Sequence, residues 1–283
     1  MNRATPSPSV ALALSTHPGP TVVVTAVTAV LAASAGLEGW RVALVSVAML
    51  VGQVSVGLSN DWLDAHRDAA VGRTDKPIAR GWVAAGTVRS TAFAAATLAV
   101  ALTIPLGWLA TVAHTVFIGS AWAYNVWLKR TVFSVVPYIV SFGLLPAVVT
   151  LSAADWRVAP WWALGAGALL GVAAHFANVL PDIADDTATG IAGLPHRVGV
   201  RVSGVVIGMA LAAASVLVVV APPADQGAGP GALAVAGLVL AVAAAVACAV
   251  LALRSAPTRL VFRFIMAGAL VDVALLALSG SSL

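Results

Sequence analysis

Seven of the eleven acidic residues in this chain fall in two short stretches. The first is Asn60-Asp61-Trp62-Leu63-Asp64-Ala65-His66-Arg67-Asp68, with Asp75 just beyond it; the second runs from Asn178 through Asp182, Asp185 and Asp186. Superposed, they pair Asn60 with Asn178, Asp64 with Asp182, Asp68 with Asp186, Gly72 with Gly190, Pro77 with Pro195 and Gly81 with Gly199, always 118 residues apart. On a helix, positions i, i+4 and i+8 lie within a sector of about 80°, so each stretch stacks carboxyl groups on one face. Such stacks repel by a few tenths of a kcal/mol per pair in water, and by more beside a bilayer, where charge is poorly solvated. Divalent cations relieve that repulsion. Hard oxygen ligands select Mg²⁺ or Ca²⁺, and Mg²⁺ commonly shares its shell with substrate phosphates. Arg67, Arg73, Lys76 and Arg80 follow the first cluster closely. Acids that hold metal, beside bases that hold phosphate oxygens, make a diphosphate site. The plainer reading, acids that only keep helix ends in water, fits one such stretch far better than two with matched spacing.

The elements that must carry these clusters are membrane helices. The chain is 60% hydrophobic and 9% charged, with a mean hydropathy of +0.99, whereas soluble domains carry roughly a quarter charged residues. Nine apolar stretches long enough to cross a bilayer are expected, near 20–36, 41–61, 86–106, 108–127, 132–152, 160–182, 200–221, 231–253 and 259–279. With a cytoplasmic N-terminus, thirteen of the fifteen Lys and Arg residues fall inside, and only Arg41 and Arg157 outside, the bias expected of a plasma-membrane protein with an odd number of spans. The nine tryptophans cluster near span ends and read as interfacial anchors. No cleavable leader is expected before residue 20. The lone Cys248 sits in an apolar stretch, so neither an intramolecular disulfide nor a cysteine zinc site is expected. Scattered basic residues argue against nucleic acid as a partner, and no obligatory protein partner is implied. Both clusters close a helix, with four helices between them, the pattern of a duplicated four-helix unit. Within one domain spanning 1–283, the repeats would run about 20–130 and 132–254, with a last helix at 259–279. Gly72 and Gly190 stand where a helix ends in a left-handed residue, and Pro77 and Pro195 stop its continuation.

The first motif, N-D-x-x-D-x-x-x-D followed by Gly72-Arg73-Thr74-Asp75-Lys76-Pro77-Ile78, resembles the first aspartate-rich motif of the UbiA family of intramembrane prenyltransferases. Asp182 to Asp186 with Gly190 and Leu194-Pro195 resembles that family's second motif. Tyr124 with Lys129-Arg130-Thr131 resembles its tyrosine and basic pair after the fourth helix. Lys76 replaces a frequent arginine, keeping charge but losing the bidentate fork, and Gly193 replaces a common threonine. The resemblance implies an all-α membrane fold around a central cavity open sideways to lipid. It implies Mg²⁺ bridging the two clusters and the diphosphate of an allylic prenyl donor, whose chain passes to an acceptor. Asn60, Asp64, Asp68, Asn178, Asp182 and Asp186 would form the metal shell, supported by Asp61, with Asp64, Asp68, Asp182 and Asp186 catalytic. Arg73, Lys76 and Lys129 would bind diphosphate oxygens, and Tyr124 would hydrogen-bond the diphosphate or shield the allylic cation. A hydroxylated aromatic or quinone-precursor acceptor is the expectation; lipid and sugar-phosphate acceptors are the alternatives.

Gln53 and His175 each lie seven residues before a cluster residue, on nearly the same helix face and deeper, and would either orient the acceptor or pair with neighbouring helices. Asp272 is an ionisable residue inside the last expected span. Gly167 and Gly171 give the G-x-x-x-G spacing of close helix packing, and Pro137 and Pro146 are expected to kink the fifth span. A transporter with parallel repeats is the chief rival, but transporters gather charge near the midplane, whereas these acids sit at helix ends.

Overall fold

A computed structural model describes residues 6–188, 190–222 and 232–254, together with Val271, Ala274 and Leu275. Ten α-helices form these residues: α1 (Pro8–Leu14), α2 (Pro18–Ser34), α3 (Gly39–Ala70), α4 (Ala85–Thr103), α5 (Trp108–Val126), α6 (Val136–Leu151), α7 (Trp161–Val179), α8 (Ile183–Ala188), α9 (Leu194–Val220) and α10 (Ala232–Arg254). Among the described residues, four helical segments are long and apolar enough to cross a membrane: Gly39–Ala70, Ala85–Leu106, Trp161–Val179 and Leu194–Val220; α1 and α2, bent by 63° at their break, make a fifth if taken together. Helices also stand at the remaining expected positions up to residue 254. Most of the expected last span, with Asp272, lies outside the described residues, so the expected count of nine goes beyond what they contain.

Packing follows chain order. The helix α3 packs on α2, α4 and α5; α5 passes the chain to α6; α7 then packs on α6 and α9, and α9 on α10. Thus α2, α3 and α4 are neighbours in the first half as α6, α7 and α9 are in the second. The close contact of α6 and α7 depends on the two spaced glycines. A Cβ on Gly167 would meet the Phe142 carbonyl oxygen at 2.4 Å, and one on Gly171 that of Tyr138 at 2.3 Å.

Three local departures from the sequence expectations have plain causes. The second expected span ends near residue 61, but α3 runs on to Ala70. Its 32 residues make about 48 Å of helix against a hydrocarbon core of about 30 Å, so its acidic last turns need no apolar surroundings to stay helical. The second cluster is not on one straight helix: α7 stops at Val179, a 3₁₀ turn carries Leu180–Asp182, and α8 follows. Pro181 explains the break, because it has no N–H for the helical ladder. Pro137 stands in the first turn of α6, where the missing N–H costs nothing, so it starts a helix and does not kink one. Trp162 also departs from its anchoring role: it is buried in the main core.

Candidate active site

The last three turns of α3 supply the first cluster, and Asp61, Asp64 and Asp68 are all buried. The helix ends where Gly72 turns left-handed (φ 68°), with the Gly72 N–H donating to the Ala69 carbonyl and the Arg73 N–H to that of Asp68. After the second cluster Gly190 does the same (φ 78°), with N–H bonds from Gly190 to Thr187 and from Ile191 to Asp186. Gly81 (φ 68°) and Gly199 (φ 79°) form the other matched pair. A left-handed residue at each of these points turns the chain back so that basic side chains reach the acids.

Each buried carboxylate is paired with at least one cation. Asp64 is hydrogen-bonded by Lys129, from the 3₁₀ turn after α5, and by Arg67 at 3.1 Å. Asn60 also donates to Asp64 at 3.2 Å and to Oδ1 of Asn125 on α5 at 3.4 Å, and Asn125 in turn donates to Ser59 at 2.8 Å and to the Val56 carbonyl at 3.0 Å. Lys76 lies 3.4 Å from Asp61 and 3.9 Å from Asp68. These contacts are ion pairs but not hydrogen bonds, and Asp61 Oδ1 and Asp68 Oδ2 are buried with no hydrogen-bond partner. Such orphaned oxygens are rare in folded proteins and mark a place for a ligand.

The two clusters meet through Arg67, which touches Asp68 at 3.5 Å and Asp186 at 3.6 Å. Asp186 is also 3.3 Å from His196 Nε2. Asn178 donates to the Tyr138 hydroxyl at 3.4 Å. The Tyr138 ring packs edge-on against Tyr124 at 5.2 Å, and both rings contact His175. The His175 Nε2 is 3.0 Å from Ser134 Oγ, which accepts the Leu194 N–H, so His175 is held by neighbouring elements. Gln53 donates to Met49 Sδ of its own helix at 3.9 Å. The side chains of Asp182 and Asp185 lie outside those described. Arg73 stands on the rim, with a two-pronged hydrogen bond to Asp75 at 2.9 Å per arm. The Arg73 guanidinium holds the Asp75 carboxyl down at about 2.

Sequence reasoning missed Ser15, His17, Asn125, Tyr138 and His196. Asn125 had a visible signal, as an amide next to Tyr124 inside an apolar span. Ser15 had none, since one serine before a first span is unremarkable. Its Oγ donates to Asp61 at 2.7 Å.

Among the described residues no three His, Cys, Asp or Glu side chains converge to cage a metal unaided. The fit for magnesium is nevertheless good. The donor set is carboxylate and amide oxygen, hard ligands of the kind Mg²⁺ takes together with substrate phosphate, and two buried oxygens of the set lack a partner.

The sequence profile of the UbiA prenyltransferase family matches residues 21–270. The fold matches that of a UbiA homolog from Archaeoglobus fulgidus bound to GPP and Mg²⁺, with a TM-score of 0.70 and 13% identity over 96% of this chain and 100% of that one. It also matches a UbiA homolog from Aeropyrum pernix K1, with a TM-score of 0.69 and 18% identity over 90% of this chain and 96% of that one. A digeranylgeranylglyceryl phosphate synthase has a TM-score of 0.65 at 12% identity, over 93% of this chain and 94% of that one. No curated protein matches the sequence.

Proposed function

The chain belongs to the UbiA prenyltransferase family, and from that premise we propose that it moves a prenyl chain from an allylic diphosphate to a hydroxylated aromatic or quinone-precursor acceptor, releasing diphosphate. One observation carries the reading: three buried carboxylates, two with an orphaned oxygen, stand among three cations and are joined by Arg67 to Asp186. The Archaeoglobus relative binds GPP and Mg²⁺, and we extend both to this chain. Bound magnesium would act as a Lewis acid and template for the diphosphate. Asn60, Asp64, Asp68, Asn178, Asp182 and Asp186 would hold it, with Asp61 in support.

Cleavage of the allylic C–O bond puts negative charge on the departing diphosphate. Groups that stabilise this growing charge lower the barrier directly. Lys76 and Lys129 have their ammonium groups inside the cluster, and Arg73 stands at its edge. In our reading these three meet the diphosphate oxygens. Tyr124, wedged between Tyr138 and His175, would present its ring to the allylic cation. The apolar bundle keeps water from that cation until the acceptor attacks. The matched left-handed glycines and the recurring order of helix packing support a duplicated four-helix unit within one domain. On a nine-span topology with a cytoplasmic N-terminus, thirteen of the fifteen basic residues fall inside, and this bias favours a cell-membrane protein whose site also faces the cytoplasm.

The test incubates the purified protein with allylic diphosphates of several lengths, Mg²⁺ and a pooled acceptor extract, and reads products by mass. A prenylated aromatic supports the proposal, and a prenylated glycerol phosphate moves it to a lipid acceptor. Asp64→Ala and Asp182→Ala should each abolish turnover; full activity in either variant overturns the assignment of the clusters.

A further inference from the structure

We infer that the break between α1 and α2 is part of the site, and that Ser15 and His17 are positioning residues which hold Asp61 and Lys76 for the donor diphosphate. This rests on the function proposed above. It concerns residues that precede the segment matched by the family profile, which begins at residue 21.

Ser15 is fully buried, and its hydroxyl takes one oxygen of Asp61 at 2.7 Å. That bond fixes the carboxylate with its other oxygen turned to Lys76. His17 Nε2 lies 3.2 Å from the same Lys76 Nζ. An ammonium only donates, so the ring nitrogen facing it receives the bond. The Lys76 ammonium is therefore placed by His17 together with Asp61 and Asp68. Of these residues only Ser15 and His17 precede α2.

The backbone at the break is equally constrained. The Thr16 carbonyl oxygen occupies the space where a side chain at position 57 would begin, 2.1 Å from an added Cβ. Only glycine lets the break dock on α3 there, one turn before Asp61. The same carbonyl accepts the Thr21 hydroxyl at 2.8 Å. His17 is left-handed at φ 53°, and among the described residues it is the sole non-glycine so placed. A β-carbon disfavours that conformation, so the local fold must hold it. Beside the break a cleft of about 220 Å³ opens onto His17, Asp61, Lys76, Leu14, Pro20 and Pro77. Lys76 thus stands at the wall of an open space.

The test measures steady-state kinetics of the full chain with Mg²⁺ and geranyl diphosphate for wild type, Ser15→Ala, Ser15→Thr, His17→Ala and His17→Gln. Losing a hydrogen bond to a charged group costs about tenfold in binding. Ser15→Ala and His17→Ala should therefore raise KM for the diphosphate by about tenfold, leaving kcat and the acceptor KM nearly unchanged. Ser15→Thr and His17→Gln, which keep the hydroxyl and an acceptor, should regain most of the loss. A packing role alone would lower the melting temperature and kcat without moving the diphosphate KM selectively, and that result overturns the inference. Unchanged KM in both alanine variants overturns it while leaving the proposed function standing. A wild-type protein that binds no allylic diphosphate in Mg²⁺ overturns both.

Discussion

Arg67 of α3 and Asp186 of α8 lie 3.6 Å apart, and this contact joins the two acidic clusters across the bundle. Arg67 also reaches Asp64 and Asp68, so one planar guanidinium serves three carboxylates. Lysine cannot, since it offers a point charge without the fork. Arg67→Lys should lower kcat/KM by about tenfold, the effect of losing one charge-assisted hydrogen bond. Steady-state kinetics check this; wild-type values would show that the bridge has no bearing on the reaction.

Asp64 and Lys129 form a buried, hydrogen-bonded pair. Removing one partner of such a pair typically costs about 3–5 kcal/mol, while replacing both by apolar groups is far milder. Asp64→Ala should therefore melt at a markedly lower temperature in detergent than Asp64→Ala/Lys129→Met. Both variants should be inactive. Recovery of stability without activity separates the pair's part in folding from its part in the reaction.

Chelation supplies a further test. Geranyl diphosphate should raise the melting temperature only when Mg²⁺ is present, by a shift equivalent to about 2.7 kcal/mol at a hundred times Kd. Adding excess EDTA should abolish the shift. A full shift in EDTA would place the diphosphate on the basic residues alone.

At the rim, the Asp75 carboxyl is depressed to about 2, chiefly by its hydrogen bond from Arg73. A lowered folded value means the pair's stabilisation is complete above the ordinary carboxylate range, near 4, and fades as pH falls toward 2. Arg73→Gln should return the Asp75 titration toward that range, as NMR of labelled aspartate would show. No upward movement would mean that Arg73 is not the cause.

Gly171→Ala tests the packing of α6 on α7. Its Cβ would meet the Tyr138 backbone, which cannot swing aside, so a loss of about 1–3 kcal/mol is expected. Tyr138 touches Tyr124, so donor turnover should fall as well. Unaltered melting and turnover would show that the helices part without cost.

Much of this was legible in the sequence because of charge rarity. In a chain so apolar, each carboxylate is conspicuous, and the shared spacing of Asn60, Asp64 and Asp68 with Asn178, Asp182 and Asp186 reads directly. The helix-ending glycines at 72 and 190 were equally plain. Two things were hidden. The break at Pro181 divides the second cluster among the end of α7, a 3₁₀ turn and α8, while spacing alone suggests one continuous face. Partner choice was hidden too: Lys129 and Lys76 read as bases for phosphate, yet in this structure they rest on Asp64 and Asp61. Contacts such as Ser15 with Asp61 join segments far apart in the chain, and single polar residues carry no mark of whom they will meet.

Asp61, Asp64 and Asp68 are matched by Lys76, Lys129 and Arg67, three charges against three. A cation arriving alone would evict the bases and strand them, and an anion arriving alone would do the same to the acids. Only a neutralising couple can enter without leaving an ion bare in a greasy interior. On the function proposed above, the cluster would work as a lock with two keyholes, indifferent to either key until both are turned together.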